Sequence, residues 1–280
     1  MPLTDYVALV SLTSDVPTRS LLQVAAALQK QVTRDFGPIW GIQATVDSFA
    51  RLEDVPLSYW PVLIQDDIGV DAAGVHLDHD GQPFALVQAS NRWTLTASHE
   101  VLEMSADPFG NRLVASESIK RRQGRVEYLV EVSDPSEAPE FGYHVNGVLV
   151  SDFYTPRFFD PVTTTGTRYS FTGAITKPRQ VLRGGYLSWH DPPTDHWWQQ
   201  RWFGGARPVF KDLGILDASQ GSARAQIDRL TPTPEIVEDL PAGSKVLRDS
   251  RGARAEVDES TSARAERLKA QIDEIKAAAR

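Results

Sequence analysis

The run from residue 74 to 107, GVHLDHDGQPFALVQASNRWTLTASHEVLEMSAD, constrains the fold of this chain more than any other. Its Asp80-Gly81 pair lies between two segments of strand character, the signature of a tight hairpin over 74–88. A helix follows over 95–106, favoured by Leu95, Leu102, Glu103 and Met104. Upstream, Tyr6 to Leu12 reads as a strand. Next comes a helix with Thr18 as its cap and Leu21, Ala25, Leu28, Val32 and Phe36 at helical spacing, stopped by Gly37-Pro38. Two more strands are expected at 43–49 and 59–65. Strand, helix, several strands and a second helix, in that order, predict an α+β domain with a mixed sheet backed by two helices.

Beyond residue 112 the pattern changes. The segments 126–134 and 147–154 read as strands, and 155–210, rich in Gly, Pro and aromatics, reads as long ordered loops with short strands. From about 231 the composition becomes aromatic-poor, as in a linker, and ends in a strong helix former at 261–280 with Leu268, Ile272 and Ile275 on one side. Three parts result: a core at 1–160, an aromatic, loop-rich extension at 161–230 packed on it, and a linker plus amphipathic helix at 231–280. That last helix is too short for a coiled coil and is expected to dock on the domain, on a partner or on a second copy.

Composition removes several function classes. The chain has 280 residues and no cysteine, so any metal must be held by His, carboxylates or water. A net charge of −8 argues against a nucleic-acid binder, and no apolar run reaches the roughly 20 residues of a membrane helix. The N-terminal stretch has no basic leader, so a cytoplasmic or phage-particle location is expected rather than secretion.

The chemistry sits in SHEVLEMSADP. On a helix, residues four apart share a face, their Cβ atoms roughly 5–6 Å apart. His99 and Glu103 can therefore hold one divalent metal, zinc being the first expectation, and Glu100 can act as general base toward a water that the cation polarises. A third ligand is required. Asp107 is ranked first, because Pro108 disfavours helical geometry there and Gly110 would let the chain bend back. Glu131, Asp134 and Asp152 are its rivals. One imidazole with two carboxylates would cancel the cation's charge, which predicts slow or high-pH hydrolysis, or a harder ion than zinc. His and Glu at this spacing also occur on solvated helix faces. The preceding hairpin and the apolar flanks are what point here to a metal.

With that context the chain resembles the zincin metallopeptidases, in which an edge strand pairs with extended substrate and the next helix carries the His-Glu motif. Residues 83–90 would be the edge strand. The closer resemblance is to uncharacterised bacterial and phage zincin-like proteins, carried by His99-Glu100, Glu103, Asp107-Pro108, Glu131-Val132-Ser133-Asp134-Pro135 and VSDFYTPRFF at 150–159. It covers roughly 5–160 and implies a zincin-like mixed sheet, a metal and hydrolysis of a peptide or protein substrate. The chain departs from the well-studied zincins in lacking the second His. Tyr154 or Tyr143 could donate to the oxyanion, although such rings more often only pack.

Two further clusters have plainer readings. HLDHD at 76–80 is expected to be a polar hairpin turn. The four tryptophans in 186–205 are expected to close a core rather than form a ligand platform, although an exposed platform would suit a binding or structural module on a zincin scaffold. That module is the alternative to the hydrolase.

Overall fold

The computed structural model describes residues 4–70, 72–231 and Ala270. The first part contains β1 (Thr4–Ser11), α1 (Thr18–Lys30), α2 (Gly37–Trp40), β2 (Gln43–Phe49), β3 (Tyr59–Gln65), β4 (Gly74–His79), β5 (Gln82–Gln88) and α3 (Trp93–Ala106). The second contains β6 (Leu113–Glu117), β7 (Arg125–Leu129), β8 (Tyr143–Val145), β9 (Val148–Val150), β10 (Tyr186–Asp191), β11 (His196–Arg201), β12 (Val209–Gly214) and α4 (Ala223–Leu230). The fold is α+β, as expected. The tail helix expected at 261–280 lies outside the described residues, Ala270 alone excepted.

The first sheet has the order β2-β1-β3-β5-β4. Its pairs are parallel except β4 with β5, which form the hairpin turned by Asp80 and Gly81, both at positive φ. Val7 to Val10 are all buried, as a strand covered on both faces requires. One face packs against α1 and α3 through Val7, Leu9, Val62, Ile64, Ala85 and Val87. The other, with Ala8, Val10, Leu63, Phe84 and Leu86, is covered by Leu52, Val55 and Ile68 from the connections. The edge expectation is corrected: β5 is interior, and the antiparallel edge is β4.

The first helix also departs from its expected ends. Thr18 is the first helical residue, and Pro17 precedes it, its carbonyl accepting from the amides of Ser20 and Leu21. Gly37-Pro38 does not stop the helix. A π-helical turn spans Gln31–Phe36, and Pro38 then lies in the first turn of α2, where its missing N–H is tolerated. The stop falls at Gly41, with φ +70°. Gly37 serves close packing instead: a Cβ there would stand 2.5 Å from the Ile42 carbonyl oxygen.

The second sheet, β12-β11-β10-β7-β6, is antiparallel throughout. It joins residues on either side of the division expected at 160/161, and β10 and β11, six residues each, are among the short strands expected in 155–210. Trp189 and Trp197 are buried in it, in line with the core reading of the tryptophans. The strands expected at 126–134 and 147–154 are shorter, β7 and β9. The chain beyond β7 turns away to build the centre described next.

Candidate metal centre

Helix α3 is buried almost all round, and it carries Glu100, Glu103 and His99 into the space between the two sheets. Glu103 is wholly buried and anchors the cluster. Its Oε1 accepts from the backbone N–H groups of Ser133 (3.0 Å) and Asp134 (3.3 Å), which fixes the one-turn 3-10 helix Asp134–Ser136 against α3. Its Oε2 faces His99 Nε2 at 3.1 Å and accepts from Arg224 at 2.9 Å. The expected pairing of His99 with Glu103 across one helical turn is therefore present in the geometry.

The segment after β7 supplies the next carboxylates. Asp134 divides its oxygens, Oδ1 lying 3.2 Å from His99 Nε2 and Oδ2 lying 3.1 Å from Arg224. Glu131 also pairs with Arg224. Glu137 completes a group with His99 and Asp134, each offering one donor atom within 4.8 Å of the others. Glu103, Glu131 and Asp134 form another such group, with the guanidinium of Arg224 bound to all three. Arg224 comes from α4, which packs against β4 and buries Ile227 with Leu129 and Trp197. Gly110, at φ +61°, leaves room for it, since a Cβ there would stand 2.7 Å from the Arg224 Cβ.

The electrostatics follow from burial opposed by these pairings. Burial alone would raise Glu103, but the charges of His99 and Arg224 hold it well below its ordinary 4.5. Burial would lower His99, but Glu103 and Asp134 hold it well above 6.5. For Asp134 burial wins over Arg224 and His99, and its pKa rises to about 6. Burial likewise takes Glu131 well above 4.5, and Glu137 too, where the Asp134 charge adds to the effect. Burial thus makes Glu131, Asp134 and Glu137 harder to ionise than ordinary carboxyl groups.

Asp107 does not join this group. It ends α3, and its Oδ2 accepts from the backbone N–H of Arg112 at 2.7 Å, so Gly110 bends the chain without returning that carboxylate. Asp152 accepts from the backbone of Thr172 instead. Tyr143 donates to Asp35, 3.0 Å away. Tyr154 is fully buried, stacked on Phe158, with a hydroxyl that has no hydrogen-bond partner among the described residues. Burial, then the charges of Glu131, Glu103 and Asp134, hold it well above 10.

Glu100 turns to a neighbour that the sequence reading missed. Its Oε2 lies 3.5 Å from Nδ1 of His76, which is 1% exposed on β4. HLDHD is therefore a polar turn only at its tip. A surface groove of about 630 Å³ beside Thr155, Arg157 and Arg168 contains none of the cluster residues.

Fold and site together define an α+β protein with a buried histidine–carboxylate centre at the junction of two sheets. No family model, curated protein or solved structure matches the chain. Among the described residues, no helix is long and apolar enough to cross a membrane.

Proposed function

We propose that the chain is a metal-dependent hydrolase of zincin-like design acting on peptide bonds, with His99, Glu103 and Asp134 as ligands of a divalent cation. The observation that carries this reading is the arrangement at His99 Nε2, with buried carboxylate oxygens from Glu103 at 3.1 Å and Asp134 at 3.2 Å. Beside that pair, Glu137 Oε1 is buried with no hydrogen-bond partner among the described residues, so the group has an oxygen left to face a water or a cation. A mixed sheet with an antiparallel edge strand, followed by the helix that carries the ligands, supports the zincin-like part.

A divalent cation there would supply Lewis-acid polarisation of water and of a substrate carbonyl. A set dominated by carboxylates favours an oxygen-seeking ion such as Mn²⁺ over zinc. Arg224 is a fixed positive charge that orients Glu103, Glu131 and Asp134. Glu137, grouped with His99 and Asp134 and less buried than either carboxylate ligand, is the proton acceptor in this reading. The sequence-based choice, Glu100, lies deeper against His76. Tyr154 is retained as the hydroxyl that donates to substrate oxygen.

A second reading has its own observation. Arg224 already fills the Glu103–Glu131–Asp134 group, as it would in a non-catalytic binding or structural module whose charge cluster only holds the sheets together. Metal analysis of the purified protein separates the two. The hydrolase reading expects bound Mn²⁺ or zinc that His99→Ala loses, and hydrolysis of a protein substrate that Glu137→Gln loses while keeping the metal. A folded protein that binds neither ion removes it. If Glu100→Gln rather than Glu137→Gln stops hydrolysis with the metal retained, the proton acceptor is Glu100.

A further inference from the structure

We propose that the centre takes a second divalent cation, held by His76, Glu100 and Glu103, with Glu103 shared between the two ions. The inference rests on the metal-centre reading above and extends it.

Three observations point to this position. First, His76 is 1% exposed, and neither ring nitrogen has a hydrogen-bond partner among the described residues. Burying an imidazole with both nitrogens unsatisfied is costly, so such a ring points to a ligand. Second, its Nδ1 faces two carboxylate oxygens, Glu100 Oε2 at 3.5 Å and Glu103 Oε2 at 3.8 Å, and that Glu100 oxygen also lacks a partner among the described residues. These separations are long for hydrogen bonds. The first matches, and the second exceeds by about 0.3 Å, the roughly 3–3.5 Å that separates neighbouring donors placed about 2.0–2.2 Å from one cation. Third, the chain makes room for the Glu100 carboxylate. A Cβ at Gly74 would stand 2.5 Å from Thr96 Cγ2 and 2.7 Å from Glu100 Oε1.

The placement follows from strand alternation. Val75 and Leu77 point into the core on the far face of the first sheet, so Gly74 and His76 face α3. His76 stands opposite Ala85, a small residue that leaves space for the ring. Glu103 Oε2 is near both His99 and His76, which makes it the natural bridge.

The test uses the full-length chain, chelated, refolded in excess Mn²⁺, freed of unbound ion and assayed for metal per chain. Two equivalents are expected for the wild type, one for His76→Leu and none for Glu103→Gln. In the wild type, Mn²⁺ electron paramagnetic resonance should show an exchange-coupled pair, a readout that does not depend on any variant folding. One equivalent with an isolated-ion spectrum, lost in His99→Ala and kept in His76→Leu, overturns the second site and leaves the hydrolase reading intact. No bound metal in a folded wild type overturns both.

Discussion

At the scale of single residues, the centre is built from side chains whose burial would be prohibitive without one another. Glu103 lies between His99 and Arg224 with its far oxygen on two backbone amides, so its neutral analogue leaves a buried guanidinium with one carboxylate fewer. Glu103→Gln is expected to destabilise the protein by about 3 kcal/mol, read as a lowered urea midpoint at unchanged slope. His76 should behave in the opposite way. Neither of its nitrogens has a hydrogen-bond partner among the described residues, so His76→Leu should stabilise the chelated protein by about 1–2 kcal/mol. A lower melting temperature for that variant would show that the ring is already satisfied. His99 and Glu103 were legible from their spacing alone, because four residues on a helix is a geometric statement. The position of Asp107 is not legible, because Asp-Pro after a helix looks the same whether the carboxylate turns inward or, as here, accepts from the backbone of Arg112. Arg224 carried no local signal, since nothing in SARAQIDRL says which charges it will meet.

At the scale of elements, the hairpin and α3 were readable because turn chemistry and strand alternation are local. His76 could have been found by the same logic: with Val75 and Leu77 committed to one face, it had to point the other way, toward the helix. Its neighbour Gly74 turns that logic into a prediction. Gly74→Ala would force a methyl against Thr96 and Glu100, at an expected cost of about 1–3 kcal/mol. It should also weaken metal uptake, measured by titration of the stripped protein. A variant of unchanged stability and uptake would mean that β4 can move away from α3 freely. The π-helical turn was not legible, because its reason lies elsewhere in the chain. It presents the buried side chain of Gln31 to Ser98 on α3 and to the Ser151 carbonyl, two distant segments.

At the scale of the whole molecule, the class of fold was readable and the second sheet was not, since β7 meets its second partner, β10, some sixty residues on, across Pro- and Gly-rich chain of no clear period. Concentrating carboxylates at the sheet junction also sets how the metal-free protein responds to acid. Asp134 has a folded-state pKa of about 6 against an ordinary 3.8, so the folded form binds the proton more tightly than the unfolded one. Its contribution to stability is present in full below 3.8 and is lost as pH rises through 6. Glu131 and Glu137 shift in the same direction, while Glu103, shifted downward, keeps its contribution above its ordinary 4.5 and loses it progressively below that. The chelated protein should therefore gain on the order of 2–3 kcal/mol between pH 7 and pH 4 from Asp134 alone, seen as a rising denaturation midpoint. Bound metal should abolish that rise. A midpoint that falls steadily over this range would contradict the burial of these groups.

The late arrival of Arg224 has a consequence for the order of assembly. It reaches Glu103 from 121 positions further along the chain. While the polypeptide is being made, the first sheet and α3 can form before their counter-charge exists. Until α4 docks, Glu103 and the carboxylates that follow it lack the guanidinium that binds three of them in the finished fold. If the proposed centre holds a metal, the counter-charge that competes with it for Glu103 is thus the last part of the centre to be synthesised.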